Sequence, residues 1–265
     1  MIRGIEQSLA GWTRILAAWY HTGDTCHLRT VPDVVGARVV ADRSQPCDHQ
    51  IPAGPTTAQL VESGRLPAAV LPPATFGLPT GSSADGLQDR FQGCLLGVAI
   101  GDALGRAGEG RSPDATVRHY GGPLRSYQRW SGWTSGPTGT ITDDTQMTLC
   151  IAESIIATGG VEPADIGRRF VKWVDYGRGK GRACVEACLR LQAGISWHES
   201  GVDSAGNGAA MRTAPIGLLR AHDLPRLRLD AGLACLITHA HPTAIASAIA
   251  QSAGIAYCRT QKARL

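Results

Sequence analysis

Nowhere in the 265 residues do roughly eighteen apolar residues run together, the length a membrane-spanning helix needs, so the sequence predicts no membrane partner. The opening stretch "MIRGIEQSLAGWTRILAAWY" is broken by Glu6 and Arg14, which argues against a secretory leader. Dense cysteine spacing is also missing. The eight cysteines (Cys26, Cys47, Cys94, Cys150, Cys184, Cys188, Cys235 and Cys258) sit mostly in apolar patterns, and reduced core thiols in a cytoplasmic protein are the expectation. Charge is nearly balanced at +4, with one basic cluster around Arg168 to Arg190, which gives no case for a nucleic-acid partner. Period-two alternation is almost absent, as are internal repeats, a Walker A loop and a GxGxxG fingerprint.

What is present is a hydrophobic content of 43%, enough for a sizeable core, and a change in composition near residue 88. Before it lie a helical pattern over Ile5 to Tyr20, a β-branched run "VVGARVV", and a linker-like passage "LPPATFGLPTGSSADG". Cys26, His27, Cys47 and His49 are metal-ligating types, but their spacing matches no zinc pattern. After it, apolar residues recur at spacings of three and four between Gly-rich loops. Residues 1–88 therefore read as an extension and linker, and 89–265 as a helical domain.

In "DRFQGCLLGVAIGDALG", Gly93, Gly97, Gly101 and Gly105 recur every fourth residue and line one helix face. Each costs about 1 kcal/mol relative to alanine, so close contact with a neighbouring helix is expected in return. Asp102, directly after "LLGVAI", has to be capped, paired or functional. Glu109 follows on the loop "GRAGEGRSPD", and its role depends on where that helix end points.

The segment "GTITDDTQMTLC" begins a second helix, with Met147, Cys150, Ile151, Ser154 and Ile155 at helical spacing. Thr142 or Asp143 would be its N-cap and Asp144 a first-turn acid, favoured by the helix dipole at about 0.3–1 kcal/mol. The same residues offer three hard oxygen ligands within one turn, which suits Mg²⁺ or Mn²⁺. Further on, "DSAGNGAAMRTAPIGLL" describes a small-residue loop feeding a helix start, where backbone N–H groups can hold an anion. In "ITHAHPTAIASAIA", His239 and His241 precede another helix, and no further zinc ligands lie nearby.

Taken in order, "GCLLGVAIGDALG" with Glu109 downstream, "TDDT", "GNGAAMRTAPIGL" and "THAHPTAI" resemble the ADP-ribosylglycohydrolase family, known for its dinitrogenase reductase-activating glycohydrolase. "FVKWVDYGRGKGRACVEACLRL" is similar to the family's Trp-containing helix and basic Gly-rich loop. The resemblance implies an all-α orthogonal helical bundle carrying two divalent cations, Mg²⁺ or Mn²⁺, in a cleft that holds ADP-ribose. It implies metal ligation by Thr142, Asp143 and Asp144, with Glu109 and the two aspartates as catalytic groups. Ser204, Ala205, Gly206, Asn207 and Gly208 would hold the diphosphate, His239 would lie near the substrate, and Asp102 would support the site. The implied activity is hydrolysis of ADP-ribose from a modified protein or small ADP-ribosyl conjugate.

One element of the family pattern has no counterpart. No Asp-x-Asp-Thr occurs downstream of Thr145, and the chain stops at "IAYCRTQKARL", soon after the histidine segment. The expectation is a bundle short at its C-terminus with half of its metal ligands supplied. The alternative function is an inactive relative acting as an ADP-ribose-binding or structural module.

Overall fold

A computed structural model describes residues 54–70, 86–129 and 137–260. The Ile5–Tyr20 pattern, the "VVGARVV" run, the Cys26, His27, Cys47 and His49 set and nearly all of the linker lie outside the described residues. The described residues form ten α-helices: α1 (Thr57–Glu62), α2 (Leu87–Gly105), α3 (Pro113–Tyr120), α4 (Asp143–Thr158), α5 (Pro163–Tyr176), α6 (Arg182–Gln192), α7 (Trp197–Ser200), α8 (Ala214–Leu219), α9 (Leu224–Leu236) and α10 (Pro242–Thr260). No strand occurs among them, and one isolated parallel bridge joins Val202 to His239. The architecture is all-α, as the periodicity predicts. No helix among the described residues is long and apolar enough to cross a membrane.

Local chemistry fixes the helix ends. Proline opens α3, α5, α8 and α9, where its missing N–H is not needed. Ser112, Glu162 and Asp223 accept backbone N–H bonds as side-chain N-caps, and Gly121 and Gly159 end their helices in the left-handed conformation that glycine reaches without strain. The core gathers around α4, which buries Met147, Cys150, Ile151 and Ile155 against α5 and α8, while α9 packs on α10.

Part of the sequence on the extension side of residue 88 belongs to this core. Leu60, Leu66 and Val70 are almost fully buried in the main cluster, and Leu66 and Val70 lie beside Gly232 on α9. Arg65 donates twice to the His198 carbonyl, at 3.1 and 2.7 Å.

The glycine face of α2 departs from expectation. Phe91, Leu95, Ala99 and Ala103 form the buried row, and all four glycines are exposed. A Cβ at any of them would meet nothing within 4 Å among the described residues. A repeat of four defines a face without saying which side the core takes, and the row with larger apolar side chains took it. A glycine that does require its small size is Gly201, where a Cβ would collide with the Leu236 carbonyl oxygen. Gly201→Ala is expected to cost about 1–3 kcal/mol, read as a lowered urea midpoint, because the atoms the added Cβ meets are backbone and cannot swing aside as a side chain can.

Candidate functional site

The N-terminus of α4 is capped from another helix. Thr142 holds the N-cap position in extended conformation, but its side chain makes no capping bond. Asp102 on α2 replaces it: Oδ2 accepts from the Thr142 N–H (2.8 Å), the Thr145 N–H (3.2 Å) and the Thr145 hydroxyl (2.5 Å), and Oδ1 from the Thr142 hydroxyl (2.6 Å). Thr142 is thus the N-cap residue and both aspartates are first-turn residues, while the capping carboxylate comes from forty residues upstream.

With the cap supplied by Asp102, the carboxylates of Asp143 and Asp144 serve the cavity instead. Asp143 is 7% exposed, and its Oδ2 accepts from the Gly181 N–H at 3.2 Å. Burial, and then the neighbouring negative charge of Asp144, push its carboxyl up to about 6. Burial and the Asp102 charge also raise Asp144. Two carboxylates held against their own repulsion beside a threonine hydroxyl are hard oxygen donors that a divalent cation would neutralise. Among the described residues no group of three His, Cys, Asp or Glu side chains converges as a metal cage. Thr142, Asp143 and Asp144 offer oxygen donors of the type hard cations take.

The loop after α5 closes against this acidic end. Gly179 is left-handed (φ +68°), and a Cβ there would sit 2.9 Å from Asp143 Oδ1 and 3.0 Å from Thr142 Cβ. Gln146 holds the loop in place, accepting from Trp173 Nε1 at 3.2 Å and from the Arg178 N–H at 2.9 Å. Gly179 and Gly181 were not among the site residues expected from sequence, although the alternating glycines of "GRGKG" carried the signal.

Opposite the aspartates, the Ser204–Gly208 loop completes a cavity of about 890 Å³, within the roughly 300–1,000 Å³ of small-molecule sites. Asp102, Glu109, Thr142, Asp143, Asp144, Ser204, Gly206, Asn207, Gly208 and His239 all line it. Glu109 stands at the rim, its side chain 60% exposed and ion-paired with Arg106. In the loop, Ser204 Oγ accepts from the Gly206 N–H (3.2 Å), while the Ala205, Asn207 and Gly208 N–H groups have no acceptor among the described residues. The loop does not feed an α-helix directly. A 3₁₀ turn (Ala210–Arg212) intervenes before α8, so the anion-binding potential rests on the free N–H groups rather than on a helix dipole.

His239 and His241 part company. His239 is 2% exposed and faces the loop, where a Cβ at Gly208 would lie 2.8 Å from its Cε1 and 2.9 Å from Cys184 Sγ. His241 Nδ1 instead accepts from the Thr243 N–H at the start of α10.

Residues 83–264 match the family model described as ADP-ribosylglycohydrolase. An uncharacterized protein of Archaeoglobus fulgidus is 34% identical over 172 residues, covering 64% of this chain and 56% of its own length. ADP-ribosyl-dinitrogen reductase glycohydrolase of Rhodospirillum rubrum is 32% identical over 169 residues (62% and 55%), and ADP-ribosylhydrolase ARH3 of Gallus gallus is 32% identical over 181 residues (63% and 49%). The chain spans about half the length of the curated relatives it matches.

Proposed function

Because the chain belongs to the ADP-ribosylglycohydrolase family, we propose that it is a hydrolase that releases ADP-ribose from a modified protein or a small ADP-ribosyl conjugate. The observation that carries this reading is the shared cavity, which brings together four separate sequence segments: the end of α2 with Glu109, the acidic start of α4, the Ser204–Gly208 loop and His239. Such a cleft joins an oxygen-rich end suited to ribose with an N–H-rich end suited to a diphosphate.

Thr142, Asp143 and Asp144 would hold Mg²⁺ or Mn²⁺, which would supply Lewis-acid polarisation of oxygen ligands. Cleavage of the bond from ribose C1″ to the acceptor passes through an oxocarbenium-like state, so the ribose must be held while water adds at C1″ and the departing atom takes a proton. Glu109, on the cavity rim, accepts the proton of the attacking water and returns one to the leaving group. The free N–H groups of Asn207 and Gly208, which line the cavity, hold the diphosphate and so fix the ribose at the acidic end. Free cysteines at six described positions are consistent with a reducing, cytoplasmic setting.

A second reading, binding without turnover, draws on the partial donor set at Thr142, Asp143 and Asp144 beside a complete loop for the diphosphate. Incubation of a mono-ADP-ribosylated protein with this chain and Mn²⁺, followed by intact mass spectrometry, separates the two. Loss of one ADP-ribose mass with free ADP-ribose in solution is expected. Tight ADP-ribose binding with no loss would favour the second reading, and neither binding nor loss would remove both.

A further inference from the structure

Arg212 is 1% exposed, yet it forms no ion pair among the described residues. Its guanidinium stacks over the Phe170 ring at 4.5 Å and approaches Met147 Sδ (3.8 Å) and Cys184 Sγ (3.9 Å). Nη2 makes the firm bonds, donating to the Ala234 carbonyl at 3.1 Å and to Thr238 Oγ at 2.6 Å. A buried cation without a carboxylate is costly, and here the ring and the two acceptors of Nη2 carry the compensation.

The bond to Thr238 has a consequence for the next residue. Thr238 Oγ also lies 2.8 Å from His239 Nδ1. A guanidinium can only donate, so the hydroxyl accepts from Arg212 and keeps its own proton for another partner. Two candidate acceptors face it, His239 Nδ1 at 2.8 Å and the Cys184 thiol, and the imidazole nitrogen is much the stronger, since a thiol sulfur accepts weakly. An Nδ1 that accepts leaves the ring proton on Nε2. That nitrogen faces the loop: a Cβ at Gly208 would lie 3.2 Å from it and one at Gly206 3.6 Å, and it has no hydrogen-bond partner among the described residues. Burial, with the Arg212 charge second, also lowers the ring to about 4, which keeps it neutral near pH 7.

We propose that Arg212, acting through Thr238, is a positioning residue that holds His239 as the Nε2–H tautomer, so that this N–H donates to an anionic oxygen of the ligand against the Ser204–Gly208 loop. Identifying that oxygen with the diphosphate of ADP-ribose rests on the function proposed above; the tautomer does not. The relay gives the cavity a donor of fixed direction beside the free backbone N–H groups, and it gives the buried cation a function.

Long-range ¹H–¹⁵N spectra of the full chain test it, with inorganic pyrophosphate as the probe. His239 is expected as the Nε2–H tautomer, with its Nε2 resonance shifting when pyrophosphate is added. Thr238→Val should release the ring into tautomer exchange and weaken pyrophosphate binding about tenfold, the loss of one hydrogen bond. Thr238→Ser should restore both. An Nδ1–H tautomer in the wild type, an Nε2 resonance that pyrophosphate leaves unmoved, or a folded Thr238→Val with unchanged tautomer would overturn the proposal. The wild-type spectra decide even where Thr238→Val fails to fold. Correct tautomer and pyrophosphate response without any ADP-ribose release would support this relay and count against the hydrolase reading.

Discussion

Asp102→Ala is expected to lower folding stability by about 3–5 kcal/mol and to abolish ordered Mn²⁺ binding at the start of α4. One carboxylate accepts from two backbone N–H groups and two hydroxyls there, all part-buried. Its removal orphans the first-turn donors of the helix around which the core is built, and bonds to a charged acceptor are worth roughly 1.5–3 kcal/mol each before the remaining groups relax. Asp102→Asn should also be destabilising, because its amide N–H₂ would face donors on one side. Urea denaturation reads the effect, and a loss below about 1 kcal/mol for the alanine variant would show that α4 does not depend on this cap.

The double substitution Asp143→Asn, Asp144→Asn is expected to act in opposite directions on function and stability. It should eliminate Mn²⁺ binding and ADP-ribose release, since both carboxylate ligands lose their charge. In metal-free protein it should stabilise the fold. The Asp143 carboxyl rises from 3.8 to about 6 on folding, so its favourable contribution is complete below pH 3.8 and is lost as pH rises through about 6. At pH 7.5 the ionised wild-type pair is a cost, and its relief should return about 1–3 kcal/mol. Asparagine retains an acceptor for the Gly181 N–H. Thermal unfolding with chelator, then with Mn²⁺, should show a higher Tm for the variant without metal and stabilisation by Mn²⁺ for the wild type alone. A variant that Mn²⁺ still stabilises would show that the ligands lie elsewhere.

Much of this was legible in the sequence, and what was not shares a physical cause. Period 3.6 patterning announced the helices, and "TDDT" announced a helix start at Thr142. The identity of the cap was hidden because Asp102 reaches it across two helices, a contact no local spacing encodes. The glycines of α2 were read as a packing face because a repeat reveals alignment, not which side the core occupies. Likewise "GRGKG" was matched only as a basic Gly-rich loop, because its approach to Asp143 through Gly179 and Gly181 is a tertiary contact, and nothing in the local pattern around Arg212 marks it as buried beside Thr238. Leu60, Leu66 and Val70 were assigned to an extension because the composition change at residue 88 marks a linker, while core membership depends on where the chain returns.

The central claim is that one cavity unites the acidic start of α4 with the Ser204–Gly208 loop as an ADP-ribose site. Calorimetric titration of ADP-ribose into Mn²⁺-loaded wild type and Gly208→Val tests it most directly, because the added side chain would occupy space 2.8 Å from His239 Cε1 and 2.9 Å from Cys184 Sγ. One ADP-ribose bound per wild-type chain, with binding lost in the folded variant, is the predicted result. No binding to the wild type, or equal binding to both, would contradict it.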